Sequence, residues 1–540
     1  MADRIHWADI IAENMLIKGG RQRIVINFIP LGLNHINDIR AAVIADAIYK
    51  TLLSRNVDAD LILIADNYEP LLKVFPFLPE SYAEYLGKPI FEIPCPCRNC
   101  TNYAEHFIGL FLETLKSMDI NPEIFRANEI YSGRKSAQFI KTALVQKERI
   151  AGIPGEIAGK PATKDWSPFT ARCNKCGRIT TTRVTGINLE AESVYYVCNC
   201  GDLGTVPMAG GGKLTLPVAW PFFWEVFRPT VEVTGKGDAL KNRAYDLGKR
   251  VIREIYGDEP PYPVLYESGS FGKQGTVSSW KESFSVSEIL AIMPPEILRY
   301  LILRTKPEKP VKFDPGQPFL ALVNEYENLK AKFRENDPSL GVFEKRIYEL
   351  SEIKDLYKPD ISFKQMVMIC QAARGDLKQI LETLKRSGLS IENEKYIRGL
   401  ITNASNWLES YAPPFMKFSV KEKVPIKAAT LSKVQKAFLK AFAATIDAKN
   451  EINAEEYHLL IYSAAKKGSF LNMQIEKESG IQLLNINPED LFKAIYISIL
   501  GQNSGPKAGW FLSSFEKDFL VKRFKEASSY IPGTQNKIDT

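Results

Sequence analysis

The sequence lacks long hydrophobic runs, and no stretch joins the roughly eighteen apolar residues that a helix needs to cross a bilayer. Its first residues, MADRIHWADIIAENM, carry acids and no apolar core of the kind that directs secretion. The first absence excludes a helical membrane protein, and the second argues against a secretory signal in these residues. We therefore expect a soluble, cytoplasmic protein without a membrane partner.

Cysteine is also scarce: the 540 residues include eight, and seven of these fall in two tight clusters. This distribution excludes a disulfide framework for the whole chain, and in a cytoplasmic protein it favours metal binding. Neither sign of charge is in strong excess, since the chain has 70 basic and 63 acidic residues and a net charge of +7. Such a balance permits a polyanionic partner without demanding one.

From residue 21 onwards, strand and helix patterns alternate. RIVINFI (23–29) and ADLILIAD (59–66) are apolar and β-rich, and NDIRAAVIADAIYKTLLSR (37–55) between them has helical spacing. Strand, helix and strand in this order predict a doubly wound α/β domain with a parallel sheet. Ligands bind such sheets beyond the carboxyl ends of the strands, so residues 30–35 and 66–68 are expected to face one crevice.

Two later parts of the chain have a different character. Short strand patterns, cysteines and glycines predict a small inserted module at residues 163–212, after which sheet patterns return in PTVEVTG (229–235) and PPYPVLYESG (260–269). From about residue 314 to the end the apolar periodicity is helical, as in LSKVQKAFLKAFAATIDAKN (431–450). An all-α C-terminal bundle or solenoid is therefore expected.

The two cysteine clusters have different spacings. In the later one, CNKC (173–176) and CNC (198–200) are separated by 21 residues (177–197). Paired short turns of this kind can close a tetrahedral Zn²⁺ site, so we predict structural zinc at Cys173, Cys176, Cys198 and Cys200. CPCRNCTNYAEH (95–106) is less regular, and it is either a second closed zinc site or a surface loop. Its four candidate ligands are Cys95, Cys97, Cys100 and His106.

The turn FIPLGLNHIND (28–38) is the candidate nucleotide site. Gly32 can adopt the positive φ of a tight turn, and Asn34 or His35 then begins a helix whose exposed N–H groups attract phosphate. His35 can donate a hydrogen bond to a phosphate oxygen, although a lone histidine is more often structural. Four lysines in Gly- or Ser-rich loops are further candidates for holding a polyphosphate: Lys213, Lys236, Lys273 and Lys281.

These residues together resemble the class I lysyl-tRNA synthetases, which are typical of archaea and some bacteria. The resemblance covers nearly the whole chain, and its stretches are collinear: HWADIIAE (6–13), LILIADNYEPLLKVFPFLPESYAEYLGKPIFEIP (61–94), CNKCGRITTT (173–182), GGGKLTLPVAWPFFW (210–224), PPEILRYLILRTKPEKPVKFD (294–314) and ISILGQNSGPKAGWFLSSF (497–515).

The resemblance implies a Rossmann catalytic domain in two halves (1–162 and 213–293), a zinc-ribbon insertion (163–212), a connecting helical domain (294–360) and an α-helical anticodon-binding domain (361–540). It also implies that lysine is activated by ATP, with Mg²⁺, and then transferred to the terminal adenosine of a tRNA, with tRNA(Lys) as the expected species. The oligomeric state is left open.

Matched onto the motifs of the family, His35 and Lys281 are the expected catalytic residues. The residues expected to bind ATP are Pro30, Gly32, Asn34, His35, Asp38, Ser278, Ser279 and Lys281. The residues expected at the amino-acid pocket are Asn27, Ile29, Asp66, Tyr68, Trp220, Asp238 and Tyr266.

The signature positions depart from the pattern of the family. Asn37 stands where the family has a glycine against the adenine ring, and Asp38 where it has an asparagine. In the second signature, GTVSSWKES (275–283), Trp280 takes the place of a lysine, and Lys281 follows one position late. Three functions are therefore open: a divergent, working lysyl-tRNA synthetase, a non-catalytic tRNA-binding paralogue, and an adenylating enzyme for another amino acid or acceptor.

Overall fold

The computed structural model describes residues 5–159, 162–163, 165–215, 218–240, 243–271, 285–353, 361–387, 391, 393–481 and 486–531. The chain divides into two compact units. The first comprises residues 1–290, 295–314 and 324–354, and the second comprises residues 291–294, 315–323 and 355–540.

All strands among the described residues belong to the first unit. In chain order they are β1 (Gln22–Phe28), β2 (Ala59–Ala65), β3 (Glu123–Arg126), β4 (Phe169–Ala171), β5 (Thr182–Asn188), β6 (Ser193–Cys198), β7 (Leu203–Pro207), β8 (Gly212–Leu214), β9 (Val231–Gly235), β10 (Tyr262–Tyr266), β11 (Ser270–Phe271) and β12 (Lys312–Phe313).

The central sheet has five strands in the order β10–β9–β1–β2–β3, and every neighbouring pair is parallel. The chain moves outward from β1 to β2 and β3 on one side, and then to β9 and β10 on the other. The strand order therefore reverses between β1 and β9, the point at which doubly wound sheets bind ligands. The predicted fold class is confirmed, with both apolar runs forming neighbouring strands.

The helices of the first unit are α1 (Trp7–Lys18), α2 (Ile36–Ser54), α3 (Tyr103–Ser117), α4 (Ala127–Ser132), α5 (Arg134–Val145), α6 (Lys147–Ala158), α7 (Ala219–Phe227), α8 (Lys236–Leu240), α9 (Ala244–Val251), α10 (Val286–Ile292), α11 (Pro295–Leu303), α12 (Gln317–Arg334) and α13 (Val342–Ser351). Two of these reach across the unit boundary, α10 at its last residues and α12 at its first. Parallel strands covered by helices are buried on both faces, which explains the nearly continuous apolar runs of β1 and β2.

The predicted insert contains small antiparallel sheets. β4 pairs with β8, and β5, β6 and β7 form a three-stranded sheet between them in the chain. CNKC lies between β4 and β5, and CNC lies where β6 leads into β7. Each is followed by a glycine with positive φ, Gly177 and Gly201. Such a φ is strained for any residue with a Cβ, which explains the glycine after each pair of cysteines.

The second unit is helical, as predicted for the C-terminal half. Its helices are α14 (Phe363–Ala372), α15 (Leu377–Arg386), α16 (Glu394–Ser410), α17 (Lys433–Asp447), α18 (Ala454–Ala465), α19 (Phe470–Ser479), α20 (Pro488–Leu500), α21 (Ala508–Ser513) and α22 (Lys517–Ser528). The fully buried Trp407 packs against Phe319 and Phe363, and its Nε1 donates to the Pro315 carbonyl at 2.7 Å. Among the described helices of both units, none has the length and apolar character of a membrane span.

Candidate active site and metal centres

The candidate crevice lies where β1 ends and α2 begins. His35 is the N-cap residue of α2, and its Nδ1 accepts a hydrogen bond from the Asn37 N–H at 3.3 Å. The ring proton is therefore on Nε2. The His35 N–H donates to Asp38 Oδ2 at 3.0 Å, which completes a capping box. His35 and Asp38, both predicted to bind ATP, thus cap the N-terminus of α2 together.

The surroundings set the charges of these two side chains. Burial lowers the pKa of His35, so the imidazole is neutral at physiological pH and can donate through Nε2. Burial raises the pKa of Asp38 to about 6, against the opposing bond from the His35 N–H, and the charge of Asp238 adds to the rise. At neutral pH the Asp38 carboxylate is mostly ionised, and it lies at the positive end of the helix dipole.

The turn before His35 differs from the prediction in one respect. Gly32 does not have a positive φ. It is confined by space instead, because a Cβ at this position would lie 3.2 Å from the ring of Phe77. Pro30 is buried, and the buried Asn34 side chain donates to Thr114 Oγ1 on α3 at 3.4 Å. Both residues therefore contribute to packing around the turn.

Asn37 bridges two elements of the crevice. Its Oδ1 accepts a hydrogen bond from the backbone N–H of Gly269 at 3.0 Å. Gly269 lies in the segment that leads from β10 towards the second signature. The side chain that replaces the glycine of the family thus spans the gap between the start of α2 and the end of β10. A glycine at position 37 could not make this bond.

Arg40 is a crevice residue that the sequence patterns did not single out. Its guanidinium donates to the backbone carbonyls of Glu267, Pro307 and Lys309, and it lies 5.8 Å from the centre of the Tyr266 ring. Burial lowers the pKa of Arg40 to about 10, which still leaves the side chain charged at neutral pH. The cation therefore fixes the segment that carries Gly269. The sequence signal for Arg40 was its charge within the mainly apolar helical stretch of α2.

Tyr266 and Asp238 lie near Asp38. Tyr266 is buried at the end of β10, and burial together with the nearby charges of Asp38 and Asp238 raises the pKa of its hydroxyl. Asp238 is exposed on α8, and Lys236 beside it pairs with Glu267 at 3.0 Å. Because this pair is largely exposed, it contributes little to stability.

A second polar group follows β2. The ammonium of Lys213 lies 3.4 Å from Asp66 and also contacts Glu69. Burial opposes the charge of Lys213, but the two carboxylates outweigh it and raise the pKa of the lysine. Burial raises the pKa of Asp66 to about 6. Lys213, a candidate phosphate ligand by sequence, is thus held by two acids. Nearby, the Tyr68 hydroxyl donates to the Gly210 carbonyl at 3.0 Å.

The third polar group lies between β1 and β9. Asn27 Nδ2 and Trp220 Nε1 donate to Glu232 Oε1 at 2.9 and 2.8 Å, and Trp224 Nε1 donates to Oε2 at 2.9 Å. Asn27 is exposed, and Ile29 after it has 47% of its surface exposed, so the end of β1 is open to solvent. Glu232 and Trp224 were missed by sequence reasoning, although an acid in the apolar strand VEVTG was a usable signal.

The later cysteine cluster has the geometry of a zinc site. The sulfur atoms of Cys173 and Cys200 are 3.6 Å apart, and those of Cys176 and Cys198 are 3.7 Å apart. Four Zn–S bonds of about 2.3 Å at tetrahedral angles separate the sulfurs by about 3.8 Å. A disulfide would require about 2.05 Å. The four ligand atoms therefore fit a tetrahedral cation.

The earlier cluster also brings its four predicted ligands together. The sulfurs of Cys95 and Cys97 are 3.0 Å apart, and the sulfur of Cys100 is 3.6 Å from His106 Nδ1. All four ligand atoms lie within 4.8 Å of one another. Of the two alternatives, this convergence favours a second metal site over a loop with scattered side chains.

Comparison with known proteins decides the family. A profile described as tRNA synthetases class I (K) matches residues 5–354. The chain is 58% identical to a lysine–tRNA ligase of Methanosarcina barkeri, over 99% of this chain and all of that protein. It is 59% identical to lysine–tRNA ligase 1 of Methanosarcina acetivorans, over 98% and 99% of the two chains. The chain belongs to the class I lysyl-tRNA synthetases.

A more distant lysine–tRNA ligase, from Archaeoglobus fulgidus, is 36% identical over 97% of this chain and its own full length. Membership of the family thus extends through the helical C-terminal half. Four residues of the second signature region, Lys273, Ser278, Ser279 and Lys281, lie outside the described residues. Their roles in holding ATP remain predictions.

Proposed function

We propose that this chain is a lysine–tRNA ligase that retains its adenylation chemistry. In the first step the lysine carboxylate attacks the α-phosphorus of ATP, the bond to pyrophosphate breaks, and lysyl-adenylate forms. In the second step a ribose hydroxyl of the terminal adenosine of tRNA(Lys) attacks the lysyl carbonyl, and AMP leaves. The observation that carries the proposal is the neutral His35 imidazole at the N-terminus of α2, at the switch point of a sheet whose family activates lysine.

In this proposal, Nε2 of His35 donates to an oxygen of the α-phosphate, and the positive end of the α2 dipole favours the same negative charge. Pro30 and Gly32 shape the turn, and Asp38 holds the helix start. Ser278, Ser279 and Lys281 would grip the β- and γ-phosphates. Mg²⁺ enters with ATP and neutralises phosphate charge.

The amino acid would bind on the other side of the turn. Asn27, Ile29 and Trp220 lie at the end of β1 and on α7. Asp66 and Tyr68 follow β2, where the Lys213 contact keeps the Asp66 carboxylate in place. Asp238 and Tyr266 would complete the pocket on the side of β10. Zinc at both cysteine clusters would be structural, because all four positions at each are protein ligands.

We extend the proposal to the chain as a whole. The helical second unit would bind the anticodon of tRNA(Lys), the connecting domain would comprise residues 294–360, and the protein would act in the cytoplasm. One observation favours a competing function, a tRNA-binding paralogue without adenylation: the bridge from Asn37 to Gly269 spans the crevice.

ATP–pyrophosphate exchange with each of the twenty amino acids tests the proposal. Lysine-dependent exchange is the expected result. Exchange with a different amino acid would assign the chain to another adenylating activity, and exchange with none, together with binding of tRNA, would establish the paralogue. Formation of lysyl-tRNA(Lys) in the same preparation then checks the second step.

The bridge from Asn37 can be tested separately. Asn37→Gly removes the side chain that spans the crevice and restores the small residue expected against the adenine. The KM for ATP in the exchange reaction should fall by about tenfold, equivalent to about 1.4 kcal/mol. Asn37→Gln, which keeps a neutral amide side chain at this position, is the matched control and should not lower the KM. An unchanged or higher KM in the glycine variant would show that Asn37 does not restrict ATP.

A further inference from the structure

Glu232 is a buried acid to which the described residues supply no cation. It lies within β9 with 0% of its surface exposed. Among the described residues, its carboxylate makes no ion pair and receives hydrogen bonds only from the neutral side chains of Asn27, Trp220 and Trp224. Two half-buried acids near the crevice have partners of a different kind: Asp66 pairs with Lys213, and Asp38 caps α2.

A carboxylate in this environment is costly for the folded protein. Removing an ion from water is compensated only when a counter-ion or a full set of hydrogen bonds replaces the lost hydration. A carboxylate can accept about four hydrogen bonds, and here three are made. Burial accordingly raises the pKa of Glu232 to about 7, although the three donors oppose the rise. The carboxylate can therefore accept one more hydrogen bond, and a cation is the donor that would best offset its charge.

The position of Glu232 indicates that a cation would reach it from the crevice. β9 pairs with β1 at the point where the strand order reverses, and Val25 is the partner of Glu232 across this pair. Asn27, two residues further along β1, lies on the same face and contacts Glu232. Because Asn27 is exposed and Trp220 is only partly buried, the carboxylate lies one side chain below the open end of the crevice.

The side chains packed around this carboxylate are aromatic. Trp220 and Trp224 stack at 6.5 Å with an interplanar angle of 26°, and each has Tyr245 against its edge. An aliphatic chain can pack against such surfaces, and an ammonium at its end is attracted both by the ring faces and by the carboxylate. The combination suits a long aliphatic side chain that ends in a positive charge.

We propose that Glu232 determines the specificity of the amino-acid pocket by binding the side-chain ammonium of the substrate. The substrate class is then an α-amino acid with a cationic aliphatic side chain, lysine in the first place. On binding, the ammonium supplies the missing donor, while Asn27 and the two indoles keep the carboxylate in position. This inference rests on the proposed function, since it assigns a residue to the lysine pocket.

The first test compares lysine with norleucine, which lacks the ammonium but keeps the aliphatic chain. In the exchange reaction the full-length protein should prefer lysine by at least about 10³-fold in kcat/KM, because a site built around a polar group rejects the analogue that lacks its partner. Comparable values for the two amino acids would overturn the inference without any variant being made.

The second test is Glu232→Gln, which keeps the size and one acceptor oxygen. We expect the KM for lysine to rise by roughly 10²-fold or more, as when one partner of a buried charge pair is lost. The KM for ATP should stay unchanged, and the preference for lysine over norleucine should largely disappear. Glu225→Gln is the matched control: it neutralises an acid on α7 that pairs with Arg228 and has no contact with Glu232, so the KM and the preference for lysine should persist. If Glu232→Gln keeps both the KM and the preference, the inference is wrong.

A binding measurement separates this inference from the proposed function. Lysine and norleucine are titrated into the unmodified protein and the Glu232→Gln variant, and the quenching of tryptophan fluorescence is followed. Tighter binding of lysine in the unmodified protein only would support the inference even if no exchange occurs, in which case the proposed function alone fails. Equal affinities for the two amino acids in the unmodified protein would overturn it.

Discussion

His35→Ala should lower lysine-dependent ATP–pyrophosphate exchange by about 10²–10³-fold. This is the usual cost of removing one preorganised donor that stabilises charge in the transition state. The structure gives the imidazole the required protonation, since Nδ1 accepts from the Asn37 N–H and Nε2 carries the proton. The loss should appear in kcat more than in the KM for ATP, because the bond to the α-phosphate strengthens as its charge develops.

The same substitution also removes the N-cap of α2, which by itself costs about 0.5–2 kcal/mol of stability. His35→Asn distinguishes the two roles, because asparagine is a good N-cap but its shorter side chain does not place a donor where Nε2 lies. We expect both variants to lose exchange and only the alanine variant to lose thermal stability. An alanine variant with the parental exchange rate would remove His35 from the mechanism.

Much of the fold follows from local patterns in the sequence. The apolar runs at 23–29 and 59–66 became β1 and β2 because a parallel strand covered by helices has no polar face. His35 was recognisable because a strand, a glycine-containing turn and a helix start occur in immediate succession. The cysteine spacing likewise brought all four sulfurs of the later cluster together.

The polar pairings of the site could not be predicted in this way. Glu232 meets Asn27 across 205 positions of the sequence, and Lys213 meets Asp66 across 147. Such contacts depend on strand order, which no single stretch encodes. Gly32 shows the same limit, because its small size is required by Phe77, a residue from another segment, and not by its own backbone. The contacts of the site therefore depend on the topology of the fold, and local sequence patterns alone do not reveal them.

The inserted module is attached to the rest of the first unit by several contacts. Arg178 donates to the Leu86 carbonyl at 2.8 Å, and the Ile179 N–H donates to the Gly87 carbonyl at 2.8 Å. On its other side, the Gly210 N–H donates to the Tyr131 carbonyl at 2.9 Å. β8 follows immediately and carries Lys213, the partner of Asp66. A change in the cysteine turns can thus reach the predicted amino-acid pocket through β8.

Removing zinc is expected to have the largest effect on stability. Chelation, or Cys176→Ser together with Cys198→Ser, removes the cross-link between the two cysteine turns of the later cluster. Structural zinc contributes on the order of 10 kcal/mol to the folding of isolated zinc modules. Most of this should appear as local unfolding of residues 173–201, measured by proteolysis and by hydrogen exchange.

Lysine-dependent exchange should fall in parallel, because Lys213 would lose its anchored position. Elemental analysis should find at least one zinc per chain, and a second if the earlier cluster is also occupied. Cys370→Ala is the control: this thiol is buried in α14 away from both clusters in the sequence, and its loss should change neither the zinc content nor the protection of residues 173–201. A protein without zinc that keeps this segment protected would show that the four thiols hold the module without a metal.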